Sequence, residues 1–71
     1  MFDVFGFYKF KKINSLKKNK TFLHDLLIKN NIRGTIIISK EGLNGTISGQ
    51  KENLDAVIRK IQLLFNFKNF D

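Results

Sequence analysis

Six lysines, Lys9, Lys11, Lys12, Lys17, Lys18 and Lys20, fall in one stretch that contains no Asp or Glu. Ammonium groups at that density suit a polyanion, and such contacts position phosphates while carrying little sequence information. Arg33 adds a planar guanidinium that can grip a phosphate at two points, or serve equally well as a solvated charge at a helix end. A second polar group stands in the run Glu41-Gly42-Leu43-Asn44-Gly45-Thr46. There Glu41 can accept hydrogen bonds from a nucleotide or a partner domain, and Asn44 can touch RNA or satisfy its own local backbone. Tyr8 or an exposed Phe can stack on a base, although a core or interdomain place is the commoner fate of such rings.

Other chemistries find no support in the residue types. His24 stands beside Asp25 with no second histidine and no cysteine in the chain, so no metal site is expected and the pair is read as helix-surface polarity. Gly42, Gly45 and Gly49 do not have the GxGxxG or GxxxxGK spacing of phosphate-cradling loops. With no cysteine there is no thiol nucleophile, zinc-thiolate cluster or disulfide framework, and no catalytic residue is assigned.

The chain has 71 residues and a net charge of +7, from 13 basic and six acidic side chains. That length allows one small core, with about 60% of the extended-chain surface buried on folding. The charge favours contact with a polyanion, although 11 of the 13 basic residues are Lys, a bias that AT-rich genomes also produce. No run approaches the roughly 20 apolar residues of a spanning helix, and Asp3, Gly6 and Lys9 interrupt the segment where a secretory leader would be apolar. A cytoplasmic location is the expectation.

Periodicity supplies the elements that must position these groups. Val4 to Ile13 alternates as a strand, with Tyr8 and Phe10 on one face and Phe5, Phe7, Lys9 and Lys11 on the other. Both faces carry aromatic area, so one is expected to meet a neighbouring domain or a ligand. Leu16 to Asn30 has the spacing of a helix, capped by Asn14 or Ser15 and ended by Asn31, with Leu16, Phe22, Leu23, Leu26 and Leu27 as its apolar stripe. Thr35 to Lys40 is a strand with Ile36 and Ile38 facing one way and Ile37 the other. A reversal is expected at Glu41 to Gly45, because Asn-Gly is a strong hairpin signal, followed by a short strand Thr46 to Ser48. Lys51 to Phe65 is the clearest helix, with Leu54, Val57, Ile58, Ile61, Leu64 and Phe65 at intervals of three and four and an Asp55-Arg59 pair on its polar side.

Asn66 to Asp71 carries Phe67 and Phe70 and has the look of an approach to a further strand. The order β-α-β-β-α with an incipient final strand predicts an α+β, ferredoxin-like split βαβ plan with its last strand truncated or incomplete. The first and third strands should lie centrally in it. Residues 1–71 would then form a single N-terminal module, and a parent chain continuing past Asp71 is expected.

Phe7-Tyr8-Lys9-Phe10, Gly34-Thr35-Ile36-Ile37-Ile38 and above all Glu41-Gly42-Leu43-Asn44-Gly45-Thr46 with Gly49 resemble the N-terminal domain of the rhodanese-related tRNA uridine hydroxylases. The resemblance covers nearly the whole chain, and its central motif differs from the family's EGINGT only by Leu43 in place of Ile. It implies an acylphosphatase-like module ahead of a rhodanese domain with an active-site cysteine, in an enzyme that uses molecular oxygen to install 5-hydroxyuridine at the tRNA wobble position. It further implies that this module holds tRNA or braces the catalytic domain, needs no cofactor itself and does not catalyse alone. Two alternatives remain. A true acylphosphatase would need an arginine cradle after the first strand, where the sequence has Lys11-Lys12-Ile13-Asn14-Ser15; a stand-alone interaction module would expose Phe5 and Phe7 as a patch.

Overall fold

The computed structural model describes residues 1–71. Its elements run β1 (Phe2–Phe10), α1 (Leu16–Lys29), β2 (Arg33–Ser39), β3 (Gly42–Gln50) and α2 (Lys51–Phe65). The strands form one antiparallel sheet in the order β1-β3-β2. Both helices pack on the same face, giving the expected ferredoxin-like α+β arrangement. With no fourth strand formed, β3 alone is flanked by strands on both sides, and β1 lies at an edge.

Alternation along the strands determines what lies beneath the helices. Phe7 of β1, Ile38 of β2 and Leu43 and Ile47 of β3 point into the core, where they meet Leu23 and Leu26 of α1 and Leu54, Val57, Ile61 and Phe65 of α2. Val57 and Ile61 are fully buried, so the three-four stripe of α2 lies on the expected face. Leu64 and Phe22, expected on the apolar stripes, are exposed, while Ile13 and Ile32 in the connections complete the core. On the polar side of α2 the pair formed is Lys51 with Asp55 at 3.2 Å, rather than Asp55 with Arg59.

The hairpin corner departs from expectation in an informative way. Ser39 pairs with Gly42, so the chain reverses at Lys40-Glu41 and the whole Gly42-to-Thr46 segment belongs to the central strand. Asn44-Gly45 is therefore not the turn. Gly42, at φ 154°, takes the unusual backbone just after the reversal, and a Cβ there would lie 2.1 Å from the carbonyl oxygen of Lys9. Gly45 serves close approach: its Cβ would come within 2.3 Å of the Thr35 carbonyl oxygen and 3.2 Å of the Phe7 ring. The ladder of β1 ends at Phe10, short of Ile13, although Lys11 and Ile13 still donate to the turn carbonyls of Glu41 and Lys40 at 3.0 and 3.2 Å.

Helix ends follow local chemistry. Asn31 adopts φ 55° just beyond α1, as its tolerance of the left-handed region suggested. Ser15 precedes α1 in a left-handed conformation and makes no side-chain capping bond. Asn19 instead turns back to donate to the Asn14 carbonyl at 2.8 Å. After α2, Asn66 is left-handed and the tail lies across Phe5 and Phe7 without becoming a strand. Phe70 stacks at 5.3 and 5.4 Å from those rings and at 4.9 Å from Phe67.

Candidate nucleic-acid interface

The lysine-rich stretch is divided by the fold. Lys9 projects toward the tail, where its Nζ lies 3.4 Å from an Asp71 carboxylate oxygen and 5.2 Å from the centre of the Phe67 ring. Lys11 donates to the Asn66 carbonyl at 3.1 Å. These two cations therefore tie the tail to β1. Lys12, Lys17, Lys18 and Lys20 are exposed around the start of α1, and Arg33 is exposed at the start of β2.

The start of α1 is electrostatically unusual. A helix N-terminus carries partial positive charge, which acidic side chains in the first turn normally complement. Here the first turn holds no acid but has Lys17 and Lys18, and Ser15 leaves the terminal N–H groups without a side-chain acceptor. Lys12, Asn14, Ser15, Lys18 and Asn19 line an open depression there. Like charges placed on a like-charged helix end oppose stability, and together they attract an anion.

Asp71 is held by two backbone groups of β1. The Phe10 N–H donates to its carboxylate at 2.6 Å, and its own N–H donates to the Tyr8 carbonyl at 2.7 Å. The Phe10 hydrogen bond holds the Asp71 carboxyl below its ordinary value, against a smaller opposing effect of desolvation and with help from Lys9.

The EGLNGT residues do not converge on one site. Glu41 stays in the turn, where its N–H donates to the Ser39 hydroxyl at 3.2 Å. Leu43 is core, and Gly42 and Gly45 make room for backbone. Asn44 and Thr46 emerge on the face of the sheet opposite the helices. There the register aligns Tyr8 with Asn44 and Ile37, and Gly6 with Thr46 and Thr35. Phe2, Val4 and Phe10 share this face at 70%, 72% and 63% exposure, with Tyr8 at 42%. Phe5 and Phe7, whose exposure would have marked a stand-alone interaction module, are covered by the tail. The strand starts at Phe2, two residues before the expected Val4, because the alternation of FDVFGFYKF continues to it and places Phe2 on the open face.

His24 lies on the exposed side of α1, with Nδ1 3.8 Å from Asp25. No set of three or more His, Cys, Asp or Glu is grouped to hold a metal ion, and no helix is long and apolar enough to cross a membrane.

An antiparallel sheet backed by two helices on one face, with Gly42 to Thr46 in its central strand, is a ferredoxin-like α+β domain. Residues 2–71 match the UPF0176 acylphosphatase like domain, and the chain belongs to that family. It is 66% identical over all 71 residues to a tRNA uridine(34) hydroxylase of Pelagibacter ubique (strain HTCC1062), of whose length it spans 24%. No solved structure matches the chain.

Proposed function

We propose that this chain is the N-terminal module of a cytoplasmic, oxygen-dependent tRNA-modifying enzyme that converts wobble uridine to 5-hydroxyuridine, and that the module helps hold the tRNA. The reading is carried by the 66% identity to a tRNA uridine(34) hydroxylase along the entire chain. The catalytic cysteine of that reading belongs to a rhodanese-related domain elsewhere in the parent, because this chain has none. Molecular oxygen is the parent's oxidant, and the isolated module does not hydroxylate.

The exposed charges give the module its part in that reaction. Lys12, Lys17 and Lys18, with the uncapped N–H groups of α1, form a positive surface suited to backbone phosphates. Lys20 extends it along α1, whereas Arg33, at the start of β2 beyond the far end of α1, offers a separate phosphate contact. Lys9 and Lys11, already engaged with the tail, contribute through the general field and less through direct contact. Such contacts set where the tRNA lies and leave base choice to other groups.

The test is a titration of the chain with unmodified tRNA across a salt series. Replacing Lys12, Lys17 and Lys18 together with Gln should weaken binding and flatten the plot of log affinity against log salt by about 2 units, since each lost phosphate contact removes roughly 0.7 to 0.9. A folded triple variant that binds like the parent at every salt concentration refutes the lysine-led account and leaves the module as a brace for its catalytic neighbour.

A further inference from the structure

We propose that the open face of the sheet is a second RNA-contacting site, where an unpaired base stacks on Tyr8 and Phe10 and presents its polar edge to Asn44 and Thr46. The proposal rests on the RNA-holding reading above and adds to it a surface that engages bases, distinct from the lysines that engage phosphates.

Geometry supplies the first argument. The Tyr8 and Phe10 rings meet edge to face at 4.8 Å on the solvent side of β1, where both remain exposed. Asn44 is directly opposite Tyr8 on the central strand, and Thr46 is the next residue on that face. A primary amide both donates and accepts, which suits the mixed edge of a nucleobase, and a hydroxyl can do either. Exposed aromatic rings on a sheet are the platform on which unpaired bases stack, with polar neighbours reading their edges.

Gly6 supplies the second. Gly34, Gly42 and Gly45 are required by the fold, since a Cβ would come within 2.1 to 2.3 Å of a backbone oxygen, and at Gly49 a Cβ would displace the Ile32 Cδ1 from 2.4 Å. At Gly6 a Cβ would meet only the Thr46 hydroxyl, at an ordinary 3.8 Å. Packing therefore gives no reason for a glycine in the middle of an edge strand, where it weakens the strand. Its effect is to leave the sheet bare beside Tyr8. An open depression results there, lined by Gly6, Tyr8, Thr35, Ile37, Asn44 and Thr46.

Charge supplies the third. Arg33 is the sole charged side chain among the strand residues of this face. Asp3 alternates to the helix side of β1, Asp25, Glu52 and Asp55 lie on helices, and Glu41 lies in the turn. Asp71 reaches the rim of the depression with its carboxylate already bound by the Phe10 N–H and Lys9. An aromatic face with one arginine and no free acid, in a chain of net charge +7, leaves nothing to repel a polyanion and suits an unpaired nucleic-acid strand.

Tyr8 is the only tyrosine and the chain has no tryptophan, so its fluorescence reports on this face directly. The 71-residue chain should be titrated with single-stranded oligouridylate and, separately, with duplex RNA of equal phosphate count. The single strand should quench Tyr8 emission and the duplex should not. Tyr8→Ala combined with Phe10→Ala should weaken single-strand binding about tenfold while leaving duplex binding and the salt slope unchanged. Tyr8→Phe should retain the affinity. Gly6→Val, which fills the depression without removing a ring or a charge, should lower single-strand affinity in a domain at least as stable as the parent, so a folding defect in the double variant would not block the test. Unquenched Tyr8 in a chain that still binds RNA with a steep salt slope overturns the stacking face and leaves the lysine reading standing. Absence of any RNA binding overturns both.

Discussion

Replacing Gly45 with Ala adds one methyl group to the middle of the central strand. In most strands that change is mildly favourable, because Ala has less freedom to lose on folding, by about 0.4 to 1 kcal/mol. Here the new Cβ would stand 2.3 Å from the Thr35 carbonyl oxygen, 3.0 Å from the Ile36 Cα and 3.2 Å from the tip of the Phe7 ring. Two of the three obstacles are backbone, so relief requires β2 to move away from β3. Overpacking of this kind costs about 1 to 3 kcal/mol, and each weakened ladder bond adds about 0.5 to 1.5. After the entropic offset the net loss is about 2 to 3 kcal/mol, a large fraction of the roughly 4 to 10 kcal/mol typical of a chain this long. In a domain of this size each kcal/mol lowers the melting temperature by about 4 to 8 °C, so a fall of roughly 10 to 20 °C is expected in a thermal scan followed by circular dichroism. Gly6→Ala, on an open part of the same sheet, should melt at or above the parent temperature. If the two variants melt alike, the assignment of Gly45 to close strand packing is wrong.

Ile61→Asp should unfold the domain at room temperature, since it puts an unpaired charge at a fully buried position and removes a core side chain; a cooperative urea transition close to the parent's would contradict the placement of the α2 stripe. Ser15→Gly should stabilise the domain by about 0.5 to 1 kcal/mol, because the left-handed conformation at φ 51° costs Ser but not Gly and no capping bond is lost; chemical denaturation would read this, with a destabilised variant as the contrary result. Because the folded-state value of Asp71 is depressed below 3.8, its contribution to tail docking is complete above 3.8 and is lost as pH falls through the lower folded value; the Phe10 amide resonance should follow that titration, and an Asp71→Asn chain should show no such step.

The parts of the fold that the sequence announced are those where one local signal acted without competition. In α2 the apolar residues recur at three and four over fifteen residues, and Val57 and Ile61 lie fully buried as that spacing requires. At the hairpin two signals competed. Asn44-Gly45 suggests a reversal, whereas Leu43, Gly45, Ile47 and Gly49 alternating with Asn44, Thr46 and Ser48 describe a strand. The alternation prevailed because Leu43 and Ile47 both reach the core at 1% exposure, which a turn at Gly45 would have prevented. The tail could not be read from its own residues. Phe70 is placed by Phe5 and Phe7, more than sixty residues earlier, Phe67 by Phe70 and Lys9, and Asp71 by Lys9 and Phe10. Clustering of lysines was legible, but their division into tail-binding and free groups depends on that same long-range contact.

Stability alone accounts poorly for two sets of residues, and this is what joins the lysines to the open sheet face. Lys17 and Lys18 oppose the dipole of the helix they begin, and that helix start lacks the side-chain cap that would offset the repulsion. Phe2, Val4 and Phe10 expose apolar area on the solvent side of a strand whose other side is already well packed by Phe5, Phe7 and the tail. A domain optimised only to fold would place acids in the first case and polar residues in the second. The proposed RNA-holding role would give both departures a purpose through different parts of one ligand, phosphates for the helix start and bases for the sheet. The two contributions should therefore separate under salt: raising ionic strength should abolish the lysine-dependent share of tRNA binding while the share lost in the Tyr8→Ala, Phe10→Ala chain stays nearly constant. Parallel loss of both shares along the salt series would show that the rings contribute only by supporting the charged surface, and would remove the sheet face from the interface.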